Sequence, residues 1–261
     1  MTSDLFSLAG RTALVTGGSR GIGKMIAQGF LEAGAKVYIS SRKAGACEDT
    51  VKALSAYGDI RALPADISTL EGVHALAQAY GAEEQRLDIL VNNAGAAWLE
   101  DFDAFPEKGW DKVMDLNAKA PFFLTQALHE HLRNAASAER PAKVINIASI
   151  DGIAVNPQET YSYAASKAAL IQLTRRMALR LIEDNIAVSA IAPGAFRSDM
   201  NINARDHADE VARRVPARRI GRPDDMAGTA IFLASRAGDY VVGSTVIVDG
   251  GVSHAMRSGP S

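Results

Sequence analysis

Hydrophobic and polar positions along the chain fall into one repeated unit: a short apolar run, a polar turn, then a longer stretch with apolar residues three and four apart. Short apolar runs bounded by turn residues read as buried strands, and the three-to-four spacing reads as helix with one apolar face. The predicted strands lie at 12–15, 36–40, 60–63, 87–92, 143–148, 186–192 and around Val246. Helices are predicted over 21–33, 44–57, 70–80, 107–134, 163–184 and 224–234. Strands alternating with helices from end to end predict an α/β fold, a doubly wound parallel sheet covered on both faces. No internal repeat, low-complexity tract or linker interrupts the rhythm, so residues 1–261 read as a single domain. One stretch breaks it. Residues 195–222 are too polar and arginine-rich for core, which predicts a lid.

Composition narrows the function without naming it. A formal charge of −2 gives no global field to recruit nucleic acid or an anionic membrane. The single cysteine, Cys47, excludes an internal disulfide and a cysteine-based metal cluster, which suits a reducing cytoplasm. The five histidines have no metal-ligand spacing. His129 and His131, two apart, point in different directions on a helix and are expected at the surface. Met1-Thr2-Ser3-Asp4 has neither the basic nor the apolar region of a signal peptide. No run reaches the roughly 18 apolar residues of a membrane span. The expectation is a soluble, cytoplasmic protein without metal.

Candidate chemistry concentrates where strands end. Tyr163 and Lys167 are four apart in a helical pattern, so they share one face. A free tyrosine has a pKa of about 10. A neighbouring ammonium favours the phenolate and makes the phenol a usable acid/base for a carbonyl or an alcohol. The first strand runs into Thr16-Gly17-Gly18-Ser19-Arg20-Gly21-Ile22-Gly23 just before a helix. Such a turn lets backbone approach a pyrophosphate, whose charge the helix N-terminus meets. The second strand leaves through Ser40-Ser41-Arg42-Lys43 without a carboxylate. Arg42, with Arg20 approaching from the glycine turn, suits the 2′-phosphate of NADP rather than the free hydroxyl of NAD. Asp66 could hold the adenine amine, or simply form a turn. Asn92-Asn93-Ala94-Gly95 ends the fourth strand, and Asn117 sits inside a helical pattern where asparagine is disfavoured. Ser149 follows the fifth strand, fourteen residues before Tyr163.

In this order and spacing, the motifs from Leu8 to Gly251 resemble short-chain dehydrogenases/reductases, together with Pro193-Gly194 and Val248-Asp249-Gly250-Gly251. The resemblance implies a Rossmann-type fold, with Tyr163 as general acid/base and Ser149 orienting the substrate carbonyl. It implies that Lys167 binds the nicotinamide ribose and lowers the Tyr163 pKa, and that Asn117 holds a water linking Lys167 to solvent. NADP(H) would lie against Gly17, Ser19, Arg20, Gly21, Ile22 and Gly23, then Ser41, Arg42, Asp66 and Ile67. Asn93, Ala94, Gly95, Tyr163, Lys167, Pro193, Gly194 and Ser198 would complete its contacts. Within the family the chain is most similar to 3-oxoacyl-thioester reductases of the rhamnolipid-associated type, in fatty-acid metabolism. The implied reaction is NADPH-dependent reduction of a ketone, either an acyl thioester or another small molecule. A dehydrogenase of alcohols or sugar acids, and a nucleotide-sensing binding protein, are the competing readings. The catalytic helix ends Glu183-Asp184-Asn185, without the basic residue that docks carrier protein in fatty-acid-synthesis members. That leaves coenzyme A esters open beside carrier-bound ones. The family also implies a homotetramer, and Leu124, Leu128, Leu170 and Leu173 are expected to supply apolar surface for it.

Overall fold

The apolar runs form strands β1 (Thr12–Thr16), β2 (Lys36–Ser40), β3 (Ile60–Ala62), β4 (Ile89–Asn92), β5 (Ala142–Ile147), β6 (Ile186–Pro193) and β7 (Thr245–Val248). Between them come helices α1 (Thr2–Leu5), α2 (Gly21–Glu32), α3 (Ala44–Leu54), α4 (Leu70–Glu83), α5 (Glu107–Met114), α6 (Ala120–Ala127) and α7 (His129–Ala135). Helices α8 (Tyr161–Leu181), α9 (Ile202–Asp206), α10 (Ala208–Arg214) and α11 (Pro223–Ala234) complete the chain. The computed structural model describes residues 2–199 and 201–255, with the side chains of residues 2, 3 and 203 outside that description.

The strands make one parallel sheet in the order β3-β2-β1-β4-β5-β6-β7. Alternation along each strand serves two cores at once. Ala13 and Val15 face the layer of α2, α3 and α11, while Leu14 faces that of α4, α6 and α8. Ile89 and Val91 against Leu90 repeat the division in β4. Strand order reverses between β1 and β4, and that crevice, at the carboxyl ends of the strands, is where open α/β sheets bind ligands.

The largest departure from the pattern lies in the long helix expected over 107–134. It is broken into α5, a π turn over Asp115–Lys119, α6 and α7. In a regular helix the residue 121 nitrogen would donate to the Asn117 carbonyl, and Pro121 has no N–H to give. The turn widens instead, and the Ala120 N–H reaches back to the Asp115 carbonyl. The histidines expected at the surface are half-buried. His129 Nε2 stands 3.1 Å from an Asp184 carboxylate oxygen, and His131 packs edge-on to Tyr80 at 5.8 Å. Leu124, Leu128 and Leu170 are buried in the chain's own core, so they do not supply intersubunit surface. The exposed apolar residues around those helices are Phe122, Leu179 and Ile182.

The amino ends of the central strands carry buried charge. Lys143, 1% exposed, pairs with Asp239 at 2.7 Å. Arg11 donates to the Pro141 carbonyl at 3.0 Å. Asp88 accepts from the Thr12 N–H at 3.0 Å and pairs with Arg140 at 3.3 Å. The polar insert 195–222 holds α9 and α10, anchored by buried Phe196, Ala204 and Val215 and closed by a bridge from Phe196 to Gly221.

Candidate active site

Strand β5 and helix α8 bring Ser149, Tyr163 and Lys167 to one place at the carboxyl edge of the sheet. Lys167 is buried, and its ammonium donates to the Ile147 carbonyl at the end of β5, at 2.8 Å. The same Nζ lies 5.6 Å from the centre of the Tyr163 ring. Ser149 caps a single 3₁₀ turn, Ile150–Gly152, its Oγ accepting from the Asp151 N–H at 3.1 Å. The Ser149 side chain stands near enough to the Tyr163 phenol to favour its ionised form. Gly152 permits this meeting. A Cβ there would sit 2.6 Å from the Lys167 carbonyl carbon, so only glycine lets the turn lie on the α8 backbone.

The electrostatic balance differs from the sequence expectation. Burial pushes the Tyr163 phenol up to about 12, the nearby Ser149 side chain opposes the rise, and the Asp151 charge adds to it. Burial also pushes the Lys167 ammonium down to about 8. In the ligand-free protein, desolvation therefore outweighs any pull of the ammonium on the phenol. Tyr163 stands as a protonated acid at neutral pH. Tyr161, two residues earlier, is exposed, and its hydroxyl bonds Glu159 at 2.9 Å.

Asn117, in the π turn, is fully buried and its side chain is committed. Its Oδ1 accepts from the Ala96 N–H at 2.8 Å; its Nδ2 donates to the Ala96 carbonyl at 2.8 Å and to Ser166 Oγ at 3.0 Å. Asn117 thereby ties the segment after Gly95 to α8. Its amide donors are spent, and Pro121 leaves the Asn117 main-chain carbonyl without its usual helical partner, so that carbonyl is an acceptor a water could use. Ser166, which the sequence reading passed over, returns a bond from its Oγ to the Tyr163 carbonyl at 2.8 Å.

The ends of β1 and β4 are tied in the same manner. Asn93 Nδ2 donates to the Thr16 carbonyl at 2.8 Å and to the Gly17 carbonyl at 3.3 Å. Thr16 Oγ1 accepts from the Asn93 and Ala94 N–H groups at 2.9 and 3.1 Å. Thr16 was missed as a site residue, although a hydroxyl at the mouth of a glycine turn was the available signal. These bonds hold the glycine turn open beside Gly95. A Cβ on Gly23 would collide with the Gly17 carbonyl oxygen, so the turn exists only with glycine there. Helix α2 begins at Gly21 with no side chain capping it, leaving its first N–H groups free for an anion.

The outer residues are placed less simply. Ser41 Oγ lies 3.0 Å from the buried Cys47 Sγ, and Arg42 stands exposed 3.9 Å from an Asp66 oxygen. The other Asp66 oxygen accepts from the Ser68 N–H at 3.1 Å and its hydroxyl at 2.7 Å. Ile67, beside it, is buried. Arg20 does not converge with Arg42; it pairs with Asp199 in the insert. Gly194, after Pro193 at the end of β6, lies against the Asp249 backbone, and Ser198 abuts Gly21. A glycine cradle, an uncapped helix and basic groups at the end of β2 fit a phosphorylated dinucleotide.

Residues 17–253 match the protein family described as enoyl-(acyl carrier protein) reductase. The rhamnolipids biosynthesis 3-oxoacyl-[acyl-carrier-protein] reductase of Pseudomonas aeruginosa is 52% identical over 249 residues, 94% of this chain and 97% of that protein. The chain belongs to the short-chain dehydrogenase/reductase family. The solved Pseudomonas aeruginosa RhlG/NADP active-site complex matches with a TM-score of 0.92 at 51% identity, covering 96% of this chain and 99% of that one. A 2-dehydro-3-deoxy-D-gluconate 5-dehydrogenase of Dickeya dadantii is 40% identical over 262 residues, 96% of this chain and 98% of that protein. The doubly wound sheet read from the hydrophobic pattern is thus the short-chain dehydrogenase/reductase fold. Among the described residues no cluster of His, Cys, Asp or Glu could hold a metal, and no helix is long and apolar enough to cross a membrane.

Proposed function

We propose that this short-chain dehydrogenase/reductase is an NADPH-dependent reductase of 3-oxoacyl thioesters, giving the 3-hydroxyacyl form. The observation that carries the reading is the convergence of Ser149, Tyr163 and Lys167 at the carboxyl edge of the sheet, with the Lys167 ammonium fixed on the Ile147 carbonyl and 5.6 Å from the Tyr163 ring. The relatedness to the Pseudomonas reductase supports the thioester class, and the RhlG complex with NADP supports the cofactor. NADPH, when bound, supplies a hydride to the carbonyl carbon. Ser149 orients the carbonyl by donating to its oxygen, and Tyr163 gives that oxygen its proton. Lys167, still charged below about pH 8, stabilises the phenolate left behind until solvent reprotonates it. Gly17, Ser19, Gly21, Ile22 and Gly23 would cradle the pyrophosphate, while Ser41 and Arg42 would receive the 2′-phosphate, joined by Arg20 once it leaves Asp199. Asp66, Ile67, Asn93, Ala94 and Gly95 line the adenosine side and the ribose approach. Pro193, Gly194 and Ser198 flank the nicotinamide.

Residues 195–222 serve as the lid over this cleft. The protein works in the cytoplasm as a homotetramer, for which exposed Phe122, Leu179 and Ile182 supply apolar contact. The test is consumption of NADPH by the purified protein with a 3-oxoacyl coenzyme A or carrier-protein thioester. Tyr163→Phe should lower kcat about 10²–10⁴-fold with NADPH affinity unchanged, while Tyr161→Phe leaves turnover near wild type. Turnover of 2-dehydro-3-deoxygluconate with no turnover of any thioester would replace the substrate reading by the sugar-acid one.

A further inference from the structure

The glycine turn and the lid segment are joined by a chain of charges that the reaction itself does not use. Arg20, the residue before α2, makes no capping bond and sends Nη1 to Asp199 Oδ2 at 2.5 Å. The second oxygen of Asp199 accepts from Arg205 Nη1 at 3.1 Å, and Arg205 in turn grips Asp206 through Nε and Nη2 at 2.8 and 2.9 Å. One carboxylate is therefore shared between the cofactor cradle and the first helix of the insert, α9. The neighbouring Ser198 lies against Gly21, where an added Cβ would be 3.2 Å from the serine Cβ. Ser198 Oγ accepts from the Asn201 N–H at 3.1 Å, which seats the start of α9 over the same turn.

We infer that Asp199 is an affinity-setting residue for the phosphorylated cofactor: its carboxylate occupies Arg20 in the free protein, in competition with the cofactor's 2′-phosphate. A carboxylate oxygen and a phosphate oxygen are equivalent charged acceptors for one guanidinium N–H, so either can take Arg20 Nη1. Cofactor binding exchanges one partner for the other and leaves Asp199 to Arg205 alone. The insert is thereby loosened from the glycine turn as the cofactor seats. By reciprocity, anything that frees Asp199 from Arg20 tightens the phosphorylated cofactor by the same factor. The inference rests on the reading that Arg20 receives the 2′-phosphate, and the experiment separates the two.

The experiment measures dissociation constants for NADPH and NADH by fluorescence titration. The proteins are the wild type, Asp199→Asn, Arg20→Ala and the double variant, with Asp199→Ala as a second removal of the charge. Arg20 and Asp199 are both largely exposed, which limits the effect to that of a surface ion pair. Asp199→Asn is expected to tighten NADPH about two- to fivefold, to leave NADH unchanged, and to lose its effect on NADPH in the Arg20→Ala background. Loss of NADPH affinity in Arg20→Ala with no gain in Asp199→Asn or Asp199→Ala overturns the competition and keeps the phosphate reading. An equal gain with and without Arg20 also overturns it, because it is then a field effect of the carboxylate on the phosphate. If Arg20→Ala leaves NADPH binding untouched, the phosphate reading falls and the competition falls with it.

Discussion

Asn117→Ala separates two roles that could be given to one residue. The substitution removes three hydrogen bonds: two to the Ala96 backbone and one to Ser166. Ser166 keeps its own bond to the Tyr163 carbonyl, so the loss falls on the Ala96 N–H and carbonyl. An orphaned buried polar group costs about 1–3 kcal/mol. Ala96 is only partly buried, which places the sum for its two groups at about 2–4 kcal/mol. At ~2–4 °C per kcal/mol for a chain of this size, the Tm should fall by about 4–16 °C. The segment after Gly95 loses its tie to α8, so NADPH affinity and kcat/KM should drop together. The assay is thermal unfolding beside cofactor titration and steady-state kinetics, with Asn117→Gln as a variant that keeps the amide one methylene further out. A variant with wild-type Tm and cofactor affinity but collapsed kcat would refute the tethering argument and return the side chain to proton relay. Wild-type behaviour in all three measurements would refute both.

Arg42→Ala should raise the NADPH KM at least about tenfold, from loss of a bond to a charged group worth ~1.5–3 kcal/mol, with NADH little affected. Its guanidinium is exposed and only 3.9 Å from Asp66, so the Tm should hold. Adding Ser41→Asp should move preference toward NADH by repelling the phosphate, and an unmoved kcat/KM ratio would remove Arg42 from the site. For pH, Lys167 has its pKa depressed to about 8, so reductive kcat/KM should fall as pH rises through that value. Asp151→Asn removes a charge that holds the Tyr163 phenol up, so the oxidative rate should set in at lower pH than in the wild type. Superimposable pH profiles for the two proteins would exclude that influence.

The sheet was legible because strand burial leaves a plain mark. Runs such as Leu14-Val15 and Val144-Ile145 read as buried strands, and their alternation with helices carried the parallel arrangement. The long helix was not legible as broken, because apolar spacing continues through Pro121 while the cause, a missing N–H, concerns a single backbone bond. His129 and His131 were misplaced because their burial is set by Asp184 and Tyr80, distant in sequence. In the site, helical spacing paired Tyr163 with Lys167 and a strand end placed Ser149, while their roles came from the family resemblance. What spacing could not carry was the sign of the electrostatics. It gives neighbours, whereas the Tyr163 pKa depends on how much water those neighbours exclude. Arg20 was read as a phosphate ligand from its place in the turn. Its pairing with Asp199, across 179 residues, has no local signature at all.

The charged groups at the amino ends of the strands, Arg11, Asp88, Arg140, Lys143 and Asp239, have a consequence for the opposite rim. They tie down one rim of the sheet with the ion pairs Lys143–Asp239 and Arg140–Asp88 and the Arg11 bond to the Pro141 carbonyl, while the opposite rim is built from glycine turns, short loops and a polar insert. The two ends of the same strands are thus finished by different means. Charge closes the amino rim, whereas the carboxyl rim, where Ser149, Tyr163 and Lys167 meet, is left to loops that can vary without disturbing the sheet.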